Sequence, residues 1–258
     1  MKLRGGLMGI QEKIRVLVVG DIIVDKYVFG KTDRISPEAA VPVLDIERAE
    51  SRLGGAANVA FNLKKLDSYC DVSLLGIVGD DRDGGWLRTY AQSVDISPFF
   101  IKKESITTNT KTRFISDSHL LRVDNSPSGD LYNITDQIDL AFNNIKWDMV
   151  IIADYDFGVL YKQSIEHILS LAKCPVIVDP KFKNFWNYDG VFCIKPNRKE
   201  IIAALYNKIG RNIIDSYDID SSLISLVEEM AKYNESDHIV VTSGDQGILW
   251  YDKIKTSH

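Results

Sequence analysis

Apolar and polar positions divide most of the chain into two kinds of segment. Six segments are continuously apolar and β-branched and end in a polar or glycine residue; they span residues 14–21, 72–81, 149–156, 175–180, 191–197 and 238–245. Continuous apolarity predicts strands covered on both faces, as in a parallel sheet between helices. Stretches with helical periodicity separate most of them, at Ala56–Leu66, Arg82–Ser93, Thr135–Asn143, Tyr161–Ala172, Lys199–Tyr206 and Ser221–Tyr233. This alternation predicts an α/β fold with a doubly wound, mainly parallel sheet flanked by helices.

Two further segments, residues 26–48 and 107–124, alternate polar with apolar positions and lack helical periodicity. Strands of this kind have one covered face and one open face, which predicts a small antiparallel β lid over the end of the main sheet. No repeat or interdomain linker divides the sequence. We therefore predict one domain over residues 1–258.

Doubly wound sheets bind their ligands outside the carboxyl ends of the strands. In this chain those ends carry polar residues, namely Asp21, Asp80, Asp154, Asp179, Asn197 and Thr242. The sequence thus concentrates its polar chemistry where this fold class forms a ligand site.

Charge and hydropathy narrow the classes of ligand. The chain has 31 basic and 36 acidic residues, which gives no reason to expect a nucleic-acid or anionic-membrane partner. No apolar stretch approaches the ~18 residues of a membrane span, and the amino terminus lacks a signal-peptide core. We expect a cytoplasmic protein with small-molecule ligands.

The segment Gly54-Gly55-Ala56-Ala57-Asn58 lies between the predicted lid and the first predicted helix. Two glycines allow a tight turn and let a ligand approach backbone N–H groups at the positive end of a helix. Asn58 would present both a donor and an acceptor to a hydroxylated ligand. A structural glycine turn with a solvated asparagine explains the segment equally well.

Asp25 follows the first strand, and a carboxylate can accept hydrogen bonds from two adjacent sugar hydroxyls. Turn capping by aspartate is a common structural alternative and is favoured when this residue is taken alone.

The segment Asn197-Arg198-Lys199-Glu200 lies where a strand end opens a helix. An Asn and a Glu three residues apart can hold hydrated Mg²⁺ beside nucleotide phosphates. The same spacing is that of a helix N-cap with its reciprocal acid, and the two interpretations are compatible.

The turn from Thr242 to Gly247 follows the sixth strand, and its hydroxyl and its glycines, Gly244 and Gly247, could lie along phosphates or ribose. Many hairpins share this pattern, so the turn is weak evidence by itself. The sequence contains no Walker-type glycine–lysine loop, which disfavours a P-loop nucleotide site.

Taken in order, these segments resemble the ribokinase-type (PfkB) carbohydrate kinases. That family has an aspartate after its first strand, a lid, Gly-Gly-x-x-Asn, then Asn-x-x-Glu, then a Thr-x-Gly turn. Within the family, four stretches resemble the heptose 7-phosphate kinases, including the kinase half of bifunctional heptose enzymes: residues 34–63, 110–124, 151–160 and 176–200. The likeness extends from residue 14 to about residue 252.

The resemblance implies a ribokinase-like fold and phosphorylation of D-glycero-D-manno-heptose 7-phosphate at its anomeric hydroxyl, using ATP and Mg²⁺, in ADP-heptose and lipopolysaccharide core biosynthesis. Carried over by position, the expected sugar contacts are Asp25, Gly54, Gly55, Asn58 and Asp154. The expected ATP contacts are Asn197, Arg198, Lys199, Glu200, Thr242, Gly244 and Gly247, with Glu200 also at the metal. We also expect a homodimer formed through the lid.

Lys111 and Arg113, in the second lid segment, are our own candidates for binding the phosphate that the substrate already carries. A phosphate requires a cation, and both lysine and arginine serve in this role. An exposed, charged strand face is an equally good explanation of the two residues.

The family's late signature, Asp-Thr-x-Gly-Ala-Gly-Asp, does not occur in the sequence. The resemblance assigns an anion hole and the catalytic base to that signature, so we expect an incomplete kinase domain and assign no catalytic residue. Two hypotheses stay open. The protein is a sugar kinase, for heptose 7-phosphate or another sugar, that needs this segment from elsewhere, or it is a non-catalytic module that binds sugar phosphates.

Overall fold

The computed structural model describes residues 13–67, 69–126, 132–210 and 223–253. The strands in this part of the chain are β1 (Ile14–Gly20), β2 (Ile22–Ile35), β3 (Pro42–Gly55), β4 (Cys70–Gly79), β5 (Ile96–Lys103), β6 (Thr110–Ile115), β7 (His119–Asn125), β8 (Met149–Ala153), β9 (Val176–Asp179), β10 (Cys193–Ile194), β11 (His238–Thr242) and β12 (Ile248–Asp252). The helices are α1 (Ala56–Leu66), α2 (Arg82–Ser93), α3 (Thr135–Asn143), α4 (Lys162–Leu171), α5 (Arg198–Ile209) and α6 (Leu223–Ala231). None of the helices in these ranges is both long enough and apolar enough to cross a bilayer.

Eight strands form the main sheet in the order β12-β11-β10-β9-β8-β1-β4-β5. All neighbouring strands are parallel except β11 and β12, which confirms the predicted mainly parallel sheet. The sequence pattern did not predict the two edge strands, β5 and β12. Their apolar runs are short, four residues in each strand, and each strand has a feature typical of a sheet edge: β5 contains Pro98, and Trp250 of β12 is 61% exposed.

Helices cover both faces of this sheet, as predicted. Val16 and Val18 of β1 pack with α1 and α2, while the alternate residues Leu17 and Val19 pack in the core formed with α3 to α6. The bounds of α1, α2 and α3 are those predicted from periodicity. The first two residues of the predicted sixth helix, 221 and 222, lie outside the described residues.

The two predicted lid segments form a separate four-stranded sheet in the order β3-β2-β6-β7. The pairs β2–β3 and β6–β7 are antiparallel, as predicted for the lid, and the central pair β2–β6 is parallel. β2 and β3 also extend beyond the predicted lid segment: Asp21 alone separates β2 from β1, and β3 continues directly into α1.

The beginning of α2 attaches both lid segments to the main sheet. Asp81, the N-cap of α2, accepts hydrogen bonds from the backbone N–H and the hydroxyl of Thr108, each at 2.7 Å. Lys26 of β2 forms an ion pair with Asp83 at 2.7 Å. These contacts set the position of the lid relative to the carboxyl ends of the main strands.

Candidate functional site

Asp25 lies on β2, one of the two central strands of the lid. It is paired in register with Arg52 of β3 and Lys111 of β6, so the three side chains lie on one face of the lid. Its Oδ1 accepts a hydrogen bond from Nη1 of Arg113 at 2.6 Å. This ion pair raises the pKa of Arg113 further and fixes the orientation of the carboxylate.

The two lid cations proposed from the sequence have different environments. Arg113 is paired with Asp25, whereas Lys111 makes no ion pair within the described part of the chain. The Nζ atom of Lys111 lies 5.8 Å from the ring centroid of Tyr155 and 5.6 Å from that of Phe157. Lys111 therefore keeps its charge available to a ligand, while Arg113 orients Asp25.

Both glycines before α1 are required by close contacts. A Cβ atom on Gly54 would lie 2.4 Å from Oδ2 of Asp25. Gly55 has φ 56°, and a Cβ atom there would lie 2.4 Å from the backbone oxygen of Asp21. That oxygen accepts a hydrogen bond from the N–H of Ala56 at 2.9 Å, so the turn holds the start of α1 against the end of β1.

Asn58, in the first turn of α1, is exposed and lines a cavity of about 540 Å³ together with Asp25. The other lining residues are Tyr27, Arg52, Leu53, Phe61 and Tyr90. A carboxylate, an amide and a guanidinium thus share a cavity with aromatic rings. This combination suits a hydroxylated ligand with apolar ring faces.

Asp154 lies beneath the cleft. It is 1% exposed, and its Oδ2 accepts hydrogen bonds from the Tyr188 hydroxyl at 2.7 Å and from the Asn184 amide at 3.0 Å. Its Oδ1 accepts from the N–H of Asp156 at 2.9 Å. The resemblance implied a sugar contact here, but both oxygens are engaged within the protein, so the geometry fits a supporting role.

Asp21 is fully buried beside Asp154 and braces the same loop. It accepts hydrogen bonds from the backbone N–H groups of Tyr155, Phe157 and Val159. Burial, with the nearby charge of Asp154, raises the pKa of Asp21 to about 7, although the backbone N–H groups act in the opposite direction. The two buried aspartates therefore hold the loop that places Tyr155 and Phe157 beside Lys111.

The segment at the start of α5 forms the reciprocal cap expected from its spacing. Oδ1 of Asn197 accepts from the N–H of Glu200 at 2.9 Å, and Oε2 of Glu200 accepts from the N–H of Asn197 at 2.8 Å. The remaining oxygen of Glu200 pairs with Lys181, and the residue is 2% exposed. The cap expected from the spacing is therefore present, and the nucleotide role of this segment, which is compatible with it, stays a prediction.

The same contacts bear on how a Mg²⁺ ion, predicted in hydrated form, could be held at Glu200. Both of its carboxylate oxygens are engaged, one of them by a cation, so the residues present do not fit Mg²⁺ bound directly to this side chain. Nowhere in the described ranges do three or more His, Cys, Asp or Glu side chains cluster as metal ligands would.

The start of α5 lies beside the turn that follows β11. Asn197 and Thr242 form a parallel bridge, and Nη1 of Arg198 donates to the Gln246 side chain at 3.1 Å. Gly244 and Gly247 have φ 57° and 90°, and a Cβ atom added at either position would meet no atom within 4 Å. The residues predicted for the nucleotide are therefore brought together around an open turn, and Lys199 is placed with them at the start of α5.

Tyr155 and Lys181 connect the two groups of residues, and neither was singled out from the sequence. The Nζ atom of Lys181 lies 5.7 Å from the Tyr155 ring centroid, with Lys111 at a similar distance from the same ring. Burial, together with Asp179, Asp25, Glu200 and Asp21, raises the pKa of Tyr155 to about 12, so its hydroxyl is a neutral donor. The available signal was position, because Tyr155 directly follows Asp154 and Lys181 lies two residues after Asp179, both of which were named as strand-end residues.

Contacts therefore run without a break from the lid to the last parallel strand. Asp25 adjoins Lys111, which adjoins Tyr155; Lys181 follows and pairs with Glu200. These contacts link the candidate sugar residues on the lid to the candidate nucleotide residues at the start of α5.

Comparison with characterised sequences finds relatives over most of the chain. It is 36% identical to the bifunctional protein HldE of Nitratiruptor sp. over 236 residues, which are 86% of this chain and 50% of that protein. It is 40% identical to the HldE of Caulobacter sp. over 199 residues, 73% of this chain and 39% of that protein. The chain thus spans about half the length, or less, of these curated relatives.

Solved structures share the fold. Phosphofructokinase-2 from Escherichia coli, solved with substrates and products, superposes with a TM-score of 0.71 at 16% identity, over 93% of this chain and 76% of that one. Ribokinase from Giardia lamblia superposes with a TM-score of 0.71 at 16% identity, over 94% of this chain and 78% of that one. At this identity the likeness supports the ribokinase-like fold alone.

The profile of the pfkB family carbohydrate kinases matches residues 13–258, and the chain belongs to that family of sugar kinases.

Proposed function

We propose that this protein phosphorylates D-glycero-D-manno-heptose 7-phosphate at its anomeric hydroxyl with ATP, giving the 1,7-bisphosphate for ADP-heptose and lipopolysaccharide core synthesis. One observation carries the proposal: an oriented carboxylate, Asp25, and a lysine without an ion-pair partner among the described residues, Lys111, are neighbours on the lid face that covers the cleft. A carboxylate accepts from sugar hydroxyls, and an ammonium group binds a phosphate. The pair suits a sugar that already carries a phosphate.

The remaining residues support the same assignment. Asn58 would bind further hydroxyls, and the aromatic residues Tyr27 and Phe61 would pack on the apolar face of the sugar. Of our two candidates for the existing phosphate, we retain Lys111 and assign Arg113 to the orientation of Asp25. The relatives named HldE agree with a heptose substrate.

ATP would bind as the second substrate across the start of α5 and the turn from Thr242 to Gly247. Helix starts and glycine turns present backbone N–H groups that suit phosphates. The open space around Gly244 and Gly247 admits a ligand close to the main chain. Arg198 and Lys199 supply positive charge at the same place.

Replacing Lys111 with methionine is expected to weaken heptose 7-phosphate binding about tenfold, because a charge-assisted contact to the phosphate is lost. Binding of the same heptose without its phosphate should not change. Calorimetric titration measures both affinities. Lys31→Met is the matched control, since Lys31 is on the lid but pairs with Glu47 at 3.0 Å. Equal losses for both sugars would contradict the role of Lys111.

The proposed activity is tested by ADP release from ATP with Mg²⁺, dependent on heptose 7-phosphate, with identification of the 1,7-bisphosphate. Binding is measured in parallel on the same chain. Turnover supports the proposal, and failure to bind the sugar phosphate contradicts it. Binding without turnover would instead favour the non-catalytic module, and preference for another sugar phosphate would favour a different kinase of the family.

We also propose a homodimer formed through the lid. On the face opposite Asp25, Val28, Phe114 and Leu121 are paired in register, and Leu121 and Val123 are 57% and 47% exposed. A second copy of the chain would cover this apolar face. Sedimentation equilibrium should show a dimer that Leu121→Glu dissociates; a monomeric native protein would contradict the proposal.

A further inference from the structure

Lys181 has no role in the function proposed above, yet its contacts lie between the lid residues and the start of α5. It follows β9, its side chain is 30% exposed, and its Nζ contacts both Glu200 and the ring of Tyr155. Tyr155 in turn contacts Lys111 of the lid. Two ammonium groups therefore flank one aromatic ring, one on the sugar side of the cleft and one on the nucleotide side.

The pairing with Glu200 leaves Lys181 able to bind a further anion. An ammonium group has three N–H donors, and the described contacts give one carboxylate partner to this side chain. Glu200 is held by its capping bond to Asn197 and is buried, so it fixes the lysine at the start of α5. The nearby Lys195 has a different position, because it pairs with Asp179 at 2.9 Å.

The place of Lys181 indicates which part of a nucleotide it would meet. If the nucleotide lies along the start of α5 and the turn after β11, its terminal phosphate must point towards the sugar, that is, towards Asp25 and Lys111. Tyr155 links those two regions, because its ring centroid lies 5.8 Å from Nζ of Lys111 and 5.7 Å from Nζ of Lys181. Lys181, which contacts both Tyr155 and Glu200, lies on this path.

We infer that Lys181 binds the terminal phosphate of ATP and so allows the cleft to distinguish ATP from ADP. This inference rests on the proposed function and adds a residue to its nucleotide site. A cation that contacts only the terminal phosphate contributes to ATP binding and contributes little to ADP binding.

The test is calorimetric titration of the full 258-residue chain with ADP and with the non-hydrolysable analogue AMP-PNP, in buffer with Mg²⁺. In Lys181→Met we expect AMP-PNP affinity to fall about tenfold while ADP affinity stays within about twofold. Lys181→Arg should keep the preference for AMP-PNP. Lys183→Met is the matched control, since Lys183 is exposed and its Nζ donates to the backbone oxygen of Asp156 at 3.4 Å.

Loss of Lys181 leaves the buried Glu200 without its cation, so the double variant Lys181→Met/Glu200→Gln is measured as well. It keeps an acceptor for the N–H of Asn197 and should show the same selective loss. Equal changes for both nucleotides, or no change, would overturn the inference while leaving the proposed function in place. Failure of the native chain to bind any nucleotide would overturn both the inference about Lys181 and the proposed function. This outcome differs from the previous one, in which the native chain binds both nucleotides.

Discussion

A Gly55→Ala variant is expected to lose about 3 kcal/mol of unfolding free energy, because a side chain at this position meets two separate costs. Gly55 has φ 56° and ψ −136°, a backbone conformation that only glycine adopts easily, and such strain costs about 1–3 kcal/mol. The added Cβ would also lie 2.4 Å from the backbone oxygen of Asp21. Urea denaturation followed by circular dichroism measures the change.

Gly85→Ala is the matched control for this substitution. Gly85 lies in α2, and a Cβ there has no atom within 4 Å, so alanine should be neutral or stabilise by up to about 1 kcal/mol. If Gly55→Ala proved as stable as Gly85→Ala, the proposed turn between β3 and α1 would be incorrect.

An Asp25→Asn variant is expected to bind heptose 7-phosphate roughly a hundredfold more weakly than the native protein. The amide keeps the size of the side chain, but it removes the charge that pairs with Arg113 and one of the two acceptors available to sugar hydroxyls. Calorimetric titration measures the affinity. Nucleotide affinity should be nearly unchanged, because the nucleotide residues lie on the other side of Tyr155.

Asp45→Asn provides the matched control on the same lid. Asp45 pairs with Arg34 at 3.1 Å, and its side chain is 58% exposed, so this substitution should leave sugar binding unaltered. Native affinity in Asp25→Asn, or an equal loss in both variants, would remove Asp25 from the site.

The sequence predicted the main sheet and its helices because burial on two faces leaves a direct pattern, a continuous apolar run, as in residues 14–21 and 72–81. The pairing of β2 with β6 could not be predicted in this way. Both are half-exposed strands, and their relative direction depends on where the chain re-enters the lid after Thr108.

The glycine turn before α1 was predictable, because backbone geometry dictates the residue type at Gly54 and Gly55. The role of a candidate site residue was less predictable where it depends on neighbours that are distant in sequence. Asp154 and Asp25 both follow strands, yet only the fold brings Asn184 and Tyr188 onto the oxygens of Asp154. Lys181 acquires its position in the cleft from Glu200, nineteen residues later.

The central claim is that the lid and the carboxyl ends of the main strands form one cleft for two substrates. Backbone hydrogen exchange, measured on the full chain with and without heptose 7-phosphate and ADP together, tests it most directly. We expect slower exchange around Asp25 and Lys111 in the lid, and also at the start of α5 and in the turn from Thr242 to Gly247. Unchanged exchange, or protection confined to a surface away from these segments, would contradict the shared cleft.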